Sequence, residues 1–369
     1  MAKKVLLTTN DGIYHKVKKG YLTVDGIYRR VKKAYTTIGG VYRPCWSGGE
    51  LAYYGTITNL RAARYYLAAT TVGNHALFGG GYASSARNDV DAYDKSLTRT
   101  SPTALNSSRY ELAATTVGDY ALFGGGTDGS AASSRVDAYD KSLTRKAPTA
   151  LSSARYELAA TTVGDYALFG GGTTGSASNT VDAYDKSLTR TTPTALSVAR
   201  YYLSATTVGD YALFGGGRGS SYSNVVNAYD KSLTRTTPTA LSQKRSELSA
   251  TTVGDYALFG GGKNTSNLDV VDAYDKSLTI TTPTALSVAR HNLSATTAGD
   301  YALFGGGYNT SSQSRSDVVD AYDKSLTRTT PTGLSVARNY LSATTVGDYA
   351  LFGGGRTSSE TSTVDAYTV

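Results

Sequence analysis

Residues able to do acid, base, nucleophilic or metal chemistry are scarce in this chain. Histidine occurs three times, at His15, His75 and His291, and cysteine once, at Cys45. A metal centre needs several nitrogen, sulfur or carboxylate donors in a fixed arrangement, and a nucleophile needs a base within hydrogen-bond reach. No second His or Cys stands in a position equivalent to His291. His75 takes the place that Tyr holds in six other segments, as at Tyr120 and Tyr166, which marks it as a strand residue. Gly262-Lys263 resembles a phosphate loop only superficially, because Ala257 stands where the first Gly belongs and Asn264 where Ser or Thr is required. Asp91 and Asp94 recur in nearly every segment; repetition of that kind points to turn and strand-end roles rather than to a unique acid/base pair. This inventory predicts no catalytic residue, no cofactor and no metal, and so a protein that binds rather than converts.

The elements that must position any binding surface follow from one repeat. Phe-Gly-Gly-Gly starts at Phe78, Phe123, Phe169, Phe214, Phe259, Phe304 and Phe352, at intervals of 45, 46, 45, 45, 45 and 48 residues. A period of this length, rich in Val, Thr, Tyr and Phe and punctuated by Gly and Pro, predicts an all-β propeller or solenoid. In the copy at 200–238, Leu203–Val208 and Tyr211–Phe214 flank Gly209-Asp210, a two-residue hairpin signal. Val226–Tyr229 reads as a third strand, Asp230-Lys231-Ser232 as a turn, and Leu233–Thr237 as a fourth strand stopped by Pro238. The small side chains of the first strand suit a crowded axis, and the glycines permit close backbone approach.

The seventh copy stops at Val369 with three strands, whereas Leu60, Ala63 and Arg64 match Leu196, Ala199 and Arg200 at the other end. Residues 51–58 are therefore expected to complete the last blade, closing seven blades and removing the exposed edges. The expected organisation is a basic, Tyr-rich β-repeat attachment module at 1–50 and a seven-bladed propeller at 51–369.

The copies agree at the Gly-Asp and Asp-Lys-Ser turns and disagree at two places. One follows the glycines and contains Tyr82, Arg218, Tyr222, Lys263, Tyr308, Arg315 and Arg356. The other is the pair after each Arg: Tyr65-Tyr66, Tyr110-Glu111, Tyr156-Glu157, Tyr201-Tyr202, Ser246-Glu247, His291-Asn292 and Asn339-Tyr340. In an up-and-down blade both connections emerge on the same side. Tyr, Ser, Asn and Arg combine rigid aromatic area with adaptable hydrogen bonding, as in paratopes. Tyr65, Tyr66, Tyr82, Tyr110, Tyr156, Tyr201, Tyr202, Arg218, Tyr222, Lys263, His291, Asn292, Tyr308, Arg315, Tyr340 and Arg356 are the expected ligand-binding residues. Tyrosines would stack on ligand, while Arg and Asn would supply hydrogen bonds.

The apolar run before Gly79-Gly80, the third-strand Tyr93 and the Arg before each first strand (Arg64, Arg109) resemble the Kelch family of propellers over residues 51–369. The Trp usual seven positions after that Tyr is replaced by Thr100, Lys146, Thr191, Thr236, Thr281 and Thr329. The resemblance implies four-stranded blades and does not by itself imply a partner. Galactose oxidase also looks like a Kelch propeller, and its copper site uses histidines and a Tyr joined to a Cys, but residues 51–369 contain no Cys.

The formal charge of +8 arises in the first 50 residues, which hold ten Lys or Arg against three acids, leaving 27 against 26 in the rest. Tyr14, Tyr21, Tyr28, Tyr35 and Tyr42 recur every seven residues, but intervening glycines and β-branched residues oppose a coiled coil. A β-meander fits, with turns at Asp11-Gly12, Lys18-Lys19, Asp25-Gly26, Lys32-Lys33 and Gly39-Gly40. Gly40-Val41-Tyr42-Arg43-Pro44-Cys45-Trp46 resembles repeats near the N termini of phage and prophage tail-associated proteins. That resemblance implies attachment to a virion or another subunit through 1–50, with a cell-surface glycan or protein as the partner of the propeller face. A structural virion or assembly protein carrying a decorative propeller is the alternative, and a carbohydrate-active or oxidase-type enzyme is less expected. Nucleic acid is disfavoured as a partner, since turn lysines commonly form a solvated edge. A homo-oligomer is compatible with the pattern. No apolar run suits a signal peptide or a bilayer span, so membrane insertion is not expected and synthesis in the cytoplasm is.

Overall fold

Seven four-stranded antiparallel sheets follow one another along the chain, each strand pairing with its sequence neighbour except at the closure and in the sixth blade, where a small hairpin of Tyr308–Asn309 and Ser314–Arg315 is inserted. The computed structural model describes residues 50–369 in full. Before them it describes the backbone of Gly20–Val24, Ile27–Val31, Ala34–Ile38 and Val41–Trp46. In the fourth blade the inner strand Ser204–Val208 and the second strand Tyr211–Gly215 are joined by the Gly209-Asp210 turn, with Val208 opposite Tyr211. Val226–Asp230 and the two-residue outer strand Arg235–Thr236 complete the sheet.

The outer strand is shorter than the sequence suggests. Leu233 has a φ of 64° and belongs to the turn, where its amide bonds the Asp230 carbonyl at 2.9 Å. The Asp230 carboxylate accepts from the amides of Ser232 at 2.8 Å and Thr234 at 2.9 Å. Leu233 looks like a strand residue because it is apolar, yet the carboxylate holds the chain in a tight loop around it. Thr236, at the position where Kelch repeats carry Trp, is exposed on this strand.

Second strands read Tyr-Ala-Leu-Phe-Gly, with His75 in place of Tyr in the first blade, a mostly apolar run because both faces of each sheet are covered. Phe214 and Ala212 pack on Ala159, Val163 and Leu168 of the preceding blade, and Leu213 packs on Phe259 and Leu248 of the following one. Each core cluster is thus an interface between two blades. Fully burying a side chain of the size of Phe214 contributes roughly 1.5–3 kcal/mol.

The inner strands surround the axis, and their threonines form a closed belt. Thr161 Oγ1 and Thr207 Oγ1 lie 2.9 Å apart, and Thr207 Oγ1 donates to the Thr162 carbonyl at 2.6 Å. Equivalent Thr-Thr bonds link every neighbouring pair, ending with Thr71 to Thr344 across the seam between blades seven and one. A short hydroxyl at this position satisfies itself on the next strand, which a larger residue could not do in the same space.

The ring closes as expected. Ala52–Thr56 pairs antiparallel with Val364–Thr368 and serves as the outer strand of the seventh blade, with a register slip at Ala366/Tyr367. Tyr53 takes over the task of an outer-strand arginine by donating its hydroxyl to Asp365 Oδ1 at 2.6 Å. Tyr53→Phe is expected to lower unfolding free energy by about 1.5–3 kcal/mol, the range for a hydrogen bond to a charged acceptor. Urea denaturation with an unchanged m-value would show it.

The N-terminal strands form two hairpins, Gly20–Val24 with Ile27–Val31 and Ala34–Ile38 with Val41–Trp46. Strands of about five residues were expected there. The turns expected at Asp11-Gly12, Lys18-Lys19, Asp25-Gly26, Lys32-Lys33 and Gly39-Gly40, together with His15, lie outside the described residues.

Candidate functional site

The residue after each blade-joining Arg pairs with the residue after each glycine triplet, so the two variable places are one structure. Tyr65 N donates to Tyr82 O at 3.0 Å and Tyr82 N returns a bond to Tyr65 O at 2.7 Å. The same antiparallel bridge joins Tyr110 to Thr127, Tyr156 to Thr173, Tyr201 to Arg218, Ser246 to Lys263, His291 to Tyr308 and Asn339 to Arg356.

The glycines make this approach possible. In the third blade, Gly171 has φ +69° and a Cβ there would lie 2.6 Å from the Arg200 carbonyl oxygen; Gly172 has φ +98° and would meet the Tyr156 carbonyl oxygen at 2.7 Å. The Gly172 amide donates to the Arg200 carbonyl at 2.9 Å, tying the loop to the next blade.

Beneath the loops lies a buried ion pair that the sequence reading missed. The arginines are fully buried, and in six blades a guanidinium nitrogen lies 2.6–2.9 Å from a fully buried aspartate. Asp91, expected at a turn or strand end, is one of these: Arg64 and Arg99 both reach it at 2.8 Å. Asp94 does cap a turn, accepting the amides of Ser96 and Thr98. Each arginine also donates to the carbonyl of the triplet's Phe, as Arg109 does to Phe123 at 3.1 Å. The variable residues therefore start from a fixed point. The fourth blade has Asn227 instead of Asp; Arg200 bonds its Oδ1 at 3.0 Å, and burial pulls this guanidinium down to about 10.

The second residue after each Arg forms the rim of the axial opening. Tyr66, Glu111, Glu157, Tyr202, Glu247, Asn292 and Tyr340 all have φ between 53° and 56°, a left-handed conformation that strains residues other than glycine. Each donates its amide to the carbonyl of the equivalent residue in the preceding blade at 3.0–3.1 Å, from Tyr66 to Tyr340 around to Tyr340 to Asn292. Seven backbone hydrogen bonds thus close a circle. Their side chains, with leucines beneath, line a cavity of ≈ 200 Å³.

Side-chain chemistry breaks this sevenfold regularity. Tyr66 packs on Tyr340 with centroids 4.2 Å apart, Tyr65 lies 5.0 Å from Tyr66 and 5.6 Å from Tyr82, and Tyr82 lies 5.0 Å from Tyr110. Arg356, exposed, sits 5.3 Å over the Tyr65 ring. The result is a continuous, half-buried aromatic patch over blades seven, one and two. A smaller centre in the fourth blade places Arg218 5.7 Å from Tyr201 and 5.4 Å from Tyr222, with Tyr202 5.3 Å from Tyr201. Tyr156 lies between these two groups in blade order, half-buried.

Blades five and six carry most of the polar contacts of the face. Lys263 Nζ lies 3.0 Å from Glu247, and Arg315 Nε donates to Asn339 Oδ1 at 3.2 Å while its guanidinium covers Tyr308 at 5.9 Å. His291 is 4 % exposed, with Nδ1 2.8 Å from Asn267 Oδ1, and burial holds its imidazole below the usual range. It sits beneath the face and supports Asn267 and Tyr308 rather than offering a ring to solvent.

The sequence-selected residues thus converge on one face, together with Glu111, Glu157 and Glu247, which belong to the variable pairs but not to the expected ligand-binding residues. Their register with Tyr66, Tyr202 and Tyr340 was the available signal. Burial, then the charge of Glu157, pushes Glu111 up to about 8; burial likewise raises Glu157 to about 7, partly offset by a hydrogen bond from Tyr202 and by Arg218. Among the described residues no group of three His, Cys, Asp or Glu side chains is arranged to hold a metal, and no helix is long and apolar enough to cross a membrane.

These features define a seven-bladed β-propeller with a variable, aromatic-rich face. The fold is similar to a solved structure titled "Structure of YjhT", with a TM-score of 0.56 and 11 % identity over 84 % of this chain and 95 % of that one. No family model matches the chain. No curated protein matches it either.

Proposed function

We propose that the chain is a non-enzymatic recognition protein whose variable propeller face binds a cell-surface glycan or protein. One observation carries this reading: residue identity changes from blade to blade on this face, while the belt, core and ion pairs beneath it repeat. Uniform scaffolding with a varied face is what a recognition surface needs, since rigid supports lower the cost of ordering on binding. The aromatic patch of Tyr65, Tyr66, Tyr82, Tyr110 and Tyr340 supplies flat stacking area, and Arg356 supplies a donor at its edge. Residues 1–50 serve attachment to a virion or another subunit; this part of the reading, and the phage-type setting, rest on the N-terminal motif.

Tyr82→Ala with Tyr110→Ala in the full chain is expected to weaken binding to intact cells or arrayed glycans by at least about thirtyfold, the scale of a hot-spot loss. Both tyrosines are half-buried at the rim, so the melting temperature should move little. Unchanged binding in this variant would remove the face assignment.

A further inference from the structure

We propose that the axial opening binds an organic ammonium group, held by the carboxylates of Glu111 and Glu157 between the rings of Tyr66 and Tyr202. The inference rests on the recognition reading above and names the chemistry that its centre selects. Around the rim the order is Tyr66, Glu111, Glu157, Tyr202, so two adjacent acids are flanked by two aromatic side chains in one cavity. Glu247 is neutralised by Lys263 at 3.0 Å, whereas neither Glu111 nor Glu157 has an ion-pair partner among the described residues. Nearby rings add no fixed positive charge, and Arg218 is the one cation that acts on Glu157.

A metal ion is a poor match, because no three donors stand close enough to share it. An organic ammonium is larger, accepts longer carboxylate distances, and is attracted to aromatic faces. Tyr66 and Tyr202 line the same opening as the two acids, so the aromatic faces that attract such a cation share the cavity with the carboxylates.

The pH dependence has a definite sign. Both carboxyls are raised above the ordinary value of 4.5, so the folded chain holds their protons more tightly than the unfolded chain does. Their contribution to stability is complete at low pH and is lost as pH rises through about 7 to 8. Ionisation over the same interval creates the site for a cation. The other groups that interact with the pair are Tyr65, Tyr66, Tyr110, Tyr156, Tyr202, Tyr340, Glu247 and Arg218. The rim tyrosines stay protonated throughout, because burial raises Tyr66, Tyr202 and Tyr340. Burial holds His291 below its ordinary value, and its charged neighbour is Glu247.

Calorimetric titration of the full chain with choline, glucosamine and N-acetylglucosamine tests this. Choline keeps its charge at every pH, and its affinity is expected to rise at least about tenfold between pH 6 and pH 9. At pH 7, glucosamine should bind and N-acetylglucosamine should not. Glu111→Gln with Glu157→Gln should abolish the rise and gain stability relative to the parent between pH 6 and pH 9, a readout independent of any ligand. Binding of choline alone assigns a quaternary headgroup, and binding of glucosamine alone assigns an amino sugar; either supports the site. Saturable binding of none of the ammonium probes, equal binding of N-acetylglucosamine, or unchanged binding in the Gln variant overturns it. If the Gln variant still binds cells while the Tyr82/Tyr110 variant does not, the ammonium site fails and the recognition face stands.

Discussion

Arg109→Met is expected to destabilise the propeller by about 3–5 kcal/mol, because it removes one member of a buried ion pair and leaves the other charged. Arg109 and Asp137 are both fully buried, 2.6 Å apart, and the same guanidinium nitrogen donates to the Phe123 carbonyl at 3.1 Å. Methionine fills much of the volume but supplies none of these bonds. Arg145 at 2.8 Å would remain on Asp137, so the carboxylate keeps one partner at the edge of the blade. Adding Asp137→Asn should recover part of the loss, since a buried carboxylate stripped of one of its two cations is the costly element. The fourth blade shows that Asn is compatible with the position, where Asn227 donates to Ser197 Oγ at 3.0 Å and Thr237 Oγ1 at 3.2 Å. Guanidinium titrations of the single and double variants measure both terms; a double variant no more stable than Arg109→Met would show that the buried charge is not what matters.

Gly171→Ala is expected to cost about 3 kcal/mol or more, from two sources that add. The left-handed backbone strains any L side chain by roughly 1–2 kcal/mol. A Cβ would also press on the Arg200 carbonyl oxygen at 2.6 Å and Leu203 Cδ2 at 2.9 Å, and the first of these is backbone that cannot swing away. Gly175 in the same blade is the control: it has φ +105° with nothing within 4 Å, so Ala there bears strain without collision. The difference in melting temperature between the two variants isolates the contact. Equal losses would mean that the blade-to-blade approach is softer than the structure indicates.

Much of the architecture was legible because glycine and the hairpin turns obey hard steric rules. Three glycines in a row after Tyr-Ala-Leu-Phe mark a place where a Cβ cannot fit, and their repetition put the copies in register. The closing strand was legible for a similar reason, since Leu60 and Arg64 repeat Leu196 and Arg200. The Arg-Asp pairs were not, because Arg64 and Asp91 stand 27 residues apart and Asp91 has the local look of a turn residue. Nor was the left-handed rim: Tyr66, Glu111 and Asn292 carry no glycine signal, so only the backbone shows that they share one conformation. Leu233 misled in the opposite direction, as an apolar residue held in a turn by Asp230. The aromatic patch joins the first and last blades, and its extent became visible only once Tyr340 was placed beside Tyr66.

The clasp between Tyr53 and Asp365 also bears on how the chain reaches this state. The two residues are 312 positions apart, so bringing them together from an unfolded chain carries a loop-closure entropy of roughly 5 kcal/mol. Stacking six blades removes most of that search by delivering both ends to the same gap. Closure is therefore coupled to the completion of every other interface, and Ala52–Thr56 cannot pair until Val364–Thr368 has been synthesised. Detaching this five-residue strand would expose the edge of the seventh blade's sheet, so a segment near one end of the sequence protects the blade at the other.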